Sequence, residues 1–115
     1  MSTKDPYLYL QQISDSISLI KEYTEGFSKK TFCEDHKTID AVLMQIIVIG
    51  EVCSRLHLIK YSETQPSIPW SKIRGMRNLI AHDYARVDPE EVWNAVTIII
   101  TEFATQISSL IDDSH

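Results

Sequence analysis

At 115 residues and 43% hydrophobic content, the chain is long enough to bury a core without disulfide staples and of a size that predicts a single domain over residues 1–115. A formal net charge of −5 argues against a sequence-independent nucleic-acid binder that gains its affinity by releasing many counterions. The charge is uneven, because residues 55–86 hold Arg55, Lys60, Lys72, Arg74, Arg77 and Arg86 against only Glu63 and Asp83, a partition that suits a local anion site on an acidic body.

The first residues, Met1-Ser-Thr-Lys-Asp-Pro, show neither the apolar core nor the small-residue cleavage site of a secretory leader. The longest nearly apolar stretch is read as Ala41 to Val52, which is interrupted by Gln45 and Glu51 and falls far short of the ~20 residues a bilayer span needs. The expectation is a cytoplasmic protein without a membrane segment, whose Cys33 and Cys53 are reduced thiols.

In chain order, Asp5-Pro6 can cap and open a first helix, in which Leu10, Ile13, Ile17 and Ile20 recur at spacings of three and four and which should end near Gly26. Phe27 to His36 is open between a loop and a short helix anchored on Phe32. Ile39, Val42, Ile46, Ile49, Cys53 and Leu56 form one stripe of a second long helix, the strongest periodic signal in the chain. Ser62 to Trp70 is turn chemistry, and Pro69 is placed to start a short helix through Ile73, Met76 and Ile80. Asp88-Pro89 repeats the capping signature, with Glu90 and Glu91 in the first turn and a final stripe of Val92, Val96, Ile99, Phe103, Ile107 and Leu110. With no run of strict apolar alternation, the expected class is all-α, an antiparallel bundle of four or five helices.

The segment Arg74-Gly-Met-Arg77-Asn78-Leu-Ile-Ala-His82-Asp83-Tyr84 gathers the groups that carry chemistry. Cleaving RNA without a metal needs proton transfer from a ribose 2′-hydroxyl and stabilisation of charge on the phosphate. An imidazole, which ordinarily titrates near ~6.5, serves the first need, and a guanidinium fork serves the second. On residues alone, Arg77 and His82 fit a structural ion network with Asp83 as readily as a catalytic pair. In a continuous helix the two stand roughly 140° apart around the axis, so they do not share a face. Either fraying of the helix near His82 or a dimer that pairs two copies of the segment would bring these groups together.

The form Arg77-Asn78-x-x-x-His82-x-Tyr84 resembles the signature of HEPN-superfamily ribonucleases, and in particular their HepT-like toxin branch. Matches extend to Ile49-Gly50-Glu51, Ile68-Pro69-Trp70, Gly75-Met76, Val87-Asp88 and Trp93. Cys53 and Ala85 depart mildly from the usual pattern. The resemblance implies a HEPN-like helical bundle, a homodimer whose two motifs line one cleft, and an endoribonuclease using Arg77 and His82 with no metal and no cofactor. It also implies a partner, a minimal nucleotidyltransferase antitoxin that attaches AMP to Tyr84. Asn78, Glu51 and Asp83 are the expected supporting residues. The rival expectation is a non-catalytic nucleotide- or substrate-binding subunit of a nucleotidyltransferase, with a purely structural adaptor as a third.

Other residues have plainer readings. Glu51 either projects toward the cleft to orient Arg77 or closes an intramolecular ion pair, since a carboxylate is seldom buried without a partner. Trp70 and Trp93 are expected to pack rather than to stack on RNA bases. Cys33-x-x-His36 and Cys53-x-x-x-His57 imitate a zinc set, yet Cys53 falls on the core stripe, where a free cysteine acts as a small hydrophobe.

Overall fold

A computed structural model describes residues 5–113; the leader reading at Met1 to Lys4 and the terminal His115 lie outside them. Among the described residues the chain forms five helices and no strand, in agreement with the all-α expectation: α1 (Pro6–Thr24), α2 (Lys29–Cys33), α3 (His36–Leu58), α4 (Trp70–His82) and α5 (Pro89–Asp113). α3 is the central element, with α1 and α4 against it and the C-terminal half of α5 against α1.

Local chemistry sets most of the helix ends. The Tyr7 backbone N–H donates to the Asp5 carboxylate at 2.9 Å, Pro6 opens α1, and Leu10, Ile13, Ile17 and Ile20 are all buried. α1 stops just before Gly26, whose φ of +82° suits a residue without a Cβ. The open segment that follows contains α2. Ser28 and Thr31 satisfy each other's backbone N–H groups there, and Phe32 is fully buried. All six residues of the α3 stripe are buried. α3 ends with Lys60 at φ +64°, where the Lys60 N–H donates to the His57 carbonyl and the Tyr61 N–H to that of Leu56.

Two details of the sequence reading change. Pro69 caps α4 without being its first helical residue. The Trp70 backbone N–H donates to the Ile68 carbonyl at 2.8 Å and its indole N–H to that of Gln65 at 3.0 Å, so the preceding turn holds the chain until Trp70. In α5, Ile100 and not Ile99 continues the buried stripe after Val96. Residues Ala95–Ile100 form a π-helical segment, in which the Thr101 hydroxyl also donates to the Val96 carbonyl at 3.1 Å. Bonds from i to i+5 take more than 3.6 residues per turn, so successive four-residue steps keep Val92, Val96 and Ile100 on one side.

The tryptophans pack as expected. The Trp70 ring meets Phe103 edge-on at 5.8 Å, and Trp93 lies 5.2 Å from Phe32. By length and composition alone α5 is also apolar enough to cross a bilayer, a longer apolar segment than Ala41 to Val52. Its buried stripe faces the bundle, while Thr97, Glu102, Thr105 and Ser108 face outward. An apolar cleft of about 220 Å³ opens between α4 and α5, lined by Ile46, Met76, Leu79, Ile80, Val92 and Ile99 among others. None of the candidate site residues lines it.

Candidate functional site

The site is built on the seam between α3 and α4. The two helices run antiparallel, since Arg77 meets Gly50, Glu51 and Ser54 while Tyr84, just beyond α4, reaches back to Asp40. Gly50 makes the closest part of this seam possible. A Cβ built there would overlap the Arg77 Cβ and lie 2.7 Å from its Cγ, so the α4 backbone comes nearer than any larger residue permits.

This approach delivers the Arg77 guanidinium to two partners on α3. One terminal nitrogen pairs with the Glu51 carboxylate, and the other donates to the Ser54 hydroxyl at 3.2 Å. Ser54 in turn donates to the Gly50 carbonyl at 3.1 Å, one helical turn back. The Arg77 side chain is 19% exposed and Glu51 53% exposed, so the cation sits in a wall whose outer edge is wet. Its Nε is buried and has no hydrogen-bond partner among the described residues. The fork is fixed in place with part of its donor capacity unused.

His82 occupies the last turn of the same helix and is exposed. α4 runs unbroken through His82, so fraying does not turn the imidazole toward Arg77. Within one chain, Arg77 faces α3 and His82 faces outward, and among the described residues nothing hydrogen-bonds the His82 ring. Asn78 is exposed between them. Asp83 does not join the Arg77 pair, and its carboxylate lies 3.9 Å from Arg86 instead.

Tyr84 begins a single 3₁₀ turn, Tyr84–Arg86, directly after α4. Its ring is exposed, and its hydroxyl donates to the Asp40 carboxylate at 2.5 Å. That hydrogen bond, with further contributions from desolvation and the Asp40 charge, raises the phenol above its usual value of 10. Ser54 and Asp40 are the two contacts that sequence reasoning missed. Ser54 had a faint signal, one turn beyond Gly50, whereas Asp40 is 44 residues from Tyr84 and had none.

The zinc-like cysteines are not gathered. Cys53 is fully buried in the core, where burial pushes its thiol up to about 12 despite the nearby Arg74 charge, and Cys33 lies on α2. The His57 ring shares a hydrogen bond with Ser62 at 3.2 Å. Among the described residues no group of three or more His, Cys, Asp or Glu side chains is placed to hold a metal ion.

Comparison with known proteins gives this geometry a family. The chain is 31% identical over 110 residues to a Methanocaldococcus jannaschii protein named "Gamma-glutamylcyclotransferase and putative RNase", covering 96% of this chain and 49% of that protein. It therefore spans about half the length of that relative. It is 33% identical over 88 residues to a "Probable ribonuclease HepT" of Thermococcus cleftensis, covering 76% of this chain and 79% of the relative. A "Putative RNase" of Caldanaerobacter subterraneus subsp. tengcongensis is 27% identical over 108 residues, covering 94% of this chain and 96% of the relative. No solved structure matches significantly. The family model described as Ribonuclease HepT-like matches residues 13–110, which hold the whole α3–α4 seam, and the chain belongs to that HEPN-type ribonuclease family.

Proposed function

We propose that the chain, as one HEPN-type domain over residues 1–115, is the cytoplasmic ribonuclease toxin of a toxin–antitoxin pair and cleaves RNA without a metal ion. The observation that carries this reading is Arg77. Its guanidinium is seated over Gly50 by Glu51 and Ser54, and its helix continues unbroken to an exposed His82. A guanidinium held this way lowers the cost of placing extra negative charge on a phosphate, and does so with little reorganisation when the reaction begins. The His82 imidazole takes the proton of the attacking 2′-hydroxyl as the oxygen–phosphorus bond forms, and the bond to the 5′-oxygen breaks, leaving a 2′,3′-cyclic phosphate and a 5′-oxygen that takes its proton from water. Asn78, exposed between the two, orients the RNA or the imidazole.

Because α4 separates Arg77 from His82 around its axis, we place the working site in a homodimer cleft where the two copies of α4 face each other. Tyr84 is the regulatory residue: a minimal nucleotidyltransferase antitoxin attaches AMP to its exposed hydroxyl and silences the enzyme. The added phosphodiester brings negative charge beside the cationic helix and occupies the path of the RNA.

Purified protein should cleave RNA in excess chelator, and His82→Ala should abolish cleavage while leaving the fold unchanged by circular dichroism. Activity lost under chelation and restored by a divalent ion would overturn the metal-independent mechanism. Full cleavage by His82→Ala would remove His82 from the reaction, and absence of cleavage by the wild-type protein would favour the non-catalytic binding subunit.

A further inference from the structure

α4 carries a second arginine whose charge the molecule leaves unanswered. Lys72, Arg74 and Arg77 fall within two turns, no carboxylate lies on α4, and Glu51 is engaged by Arg77. Arg74 has neither a hydrogen bond nor an ion pair among the described residues. Its Nε is buried, and the side chain lies close enough to the core for its charge to act on the Cys53 thiol. One nitrogen of the guanidinium is thus withdrawn from solvent while no partner among the described residues answers its charge. Burying part of a cation without a partner is costly, which makes an unanswered guanidinium beside a site for anions informative.

Its position adds direction. Arg74, Asn78 and His82 follow each other at four-residue steps, forming one ridge along α4 that drifts ~40° per step. Arg74 lies ~4.5 Å along the axis and ~60° around it from Arg77, so its fork leaves α4 on a different side from the phosphate under attack and is placed for another phosphate of the same strand. Gly75 borders this ridge. It is exposed inside a helix, and a Cβ there would meet nothing within 4 Å, so no intrachain crowding explains a glycine at a position where alanine favours the helix. Bare backbone beside an unpaired guanidinium suits the close passage of a sugar–phosphate chain.

We propose that Arg74 is a second phosphate-binding residue, which holds the RNA strand one or more nucleotides from the cleavage point and sets its direction along α4 from Arg74 toward His82. The proposal rests on the reading of this helix as an RNA-cleaving surface, and it adds a binding position outside the Arg77–His82 pair. Arg74 takes no part in bond making; it increases occupancy and fixes register.

The test is binding of a short single-stranded RNA with 2′-O-methyl riboses, which cannot be cleaved, followed by fluorescence anisotropy over a range of salt concentrations. Arg74→Gln should weaken binding about tenfold and reduce the slope of log affinity against log salt by ~0.7, the loss of one phosphate contact on a single strand. Arg74→Lys should keep the slope and recover much of the affinity, whereas Arg74→Met, which keeps an apolar stem without the charge, should lose affinity and slope as Arg74→Gln does, an outcome that a merely structural role for the stem would not predict. On cleavable RNA, Arg74→Gln should raise KM with kcat nearly unchanged. Gly75→Ala should raise Tm yet weaken RNA binding, with the oligomeric state unchanged by light scattering. If wild-type protein binds the RNA and Arg74→Gln matches it in affinity and salt slope, the proposal is wrong while the ribonuclease reading stands. If wild-type protein neither binds nor cleaves any RNA, both fall together. Should Arg74→Gln fail to fold, the Arg74→Met slope and the Gly75→Ala affinity still decide the matter.

Discussion

Gly50 and Arg77 touch across the α3–α4 seam with no room for a Cβ between them. Alanine in place of Gly50 would gain ~1 kcal/mol of helix propensity but would have to push α4 away from α3 at a backbone-proximal contact, at a cost of roughly 1–3 kcal/mol. The clash should win. Gly50→Ala is expected to lower stability in urea unfolding and to reduce RNA cleavage more than tenfold by moving Arg77. An unchanged cleavage rate would show that the close approach does not position the arginine.

Glu51 is half exposed, so its pairing with Arg77 contributes little to stability, on the order of 0–1 kcal/mol. In the proposed site its part is to aim the guanidinium. Glu51→Gln should leave Tm within a few degrees of wild type and reduce kcat, with Ser54→Ala having a smaller effect in the same direction. Equal kcat for all three proteins would assign the pair to structure alone.

Arg77 and His82 on one α4 face different directions, and a dimer cleft resolves this only if each site draws on both copies. Mixed Arg77→Ala and His82→Ala chains should then recover partial activity, through one composite site that retains both wild-type groups. A fully active monomer, verified by sedimentation at the assay concentration, would contradict the dimer.

Tyr84→Phe should cleave RNA but escape inhibition by a nucleotidyltransferase partner with ATP, and intact-mass measurement should find no AMP at position 84. The Asp40 contact gives a further readout. Because the hydrogen bond to Asp40 raises the Tyr84 phenol, the folded state holds this proton after an unfolded phenol has lost it. The contact therefore contributes fully below pH 10, and its contribution fades as pH rises through the raised value. Asp40→Asn should bring the phenol back toward its usual value in an ultraviolet titration, with Tyr84→Phe identifying the component.

Burial holds the Cys53 thiol at about 12, so at neutral or mildly alkaline pH it carries almost no thiolate. Iodoacetamide should label Cys33 in native protein and both cysteines in urea. Rapid native labelling of Cys53 would mean that α3 opens far more readily than its packing implies.

The sequence by itself determined the helices, because apolar spacing and capping chemistry act over a few residues: the α1 and α3 stripes and the Asp5 and Asp88 caps all follow from local pattern. It also carried the Arg77-to-Tyr84 signature, which is contiguous. The tertiary structure decided what those groups touch. Gly50 belongs to a match with the family in the sequence, but its role shows only when α4 is laid against it, and only that approach gives Arg77 to Glu51 and Ser54 and leaves Asp83 to Arg86. Asp40 reaches Tyr84 because the antiparallel seam folds 44 residues of chain into one contact. The π-helical segment in α5 shifts the buried position from Ile99 to Ile100, a change of helical pitch that a fixed 3.6-residue pattern does not contain. Periodicity reports which face of a helix is apolar, whereas partners across a seam depend on helix separation and register, quantities set only when the helices pack.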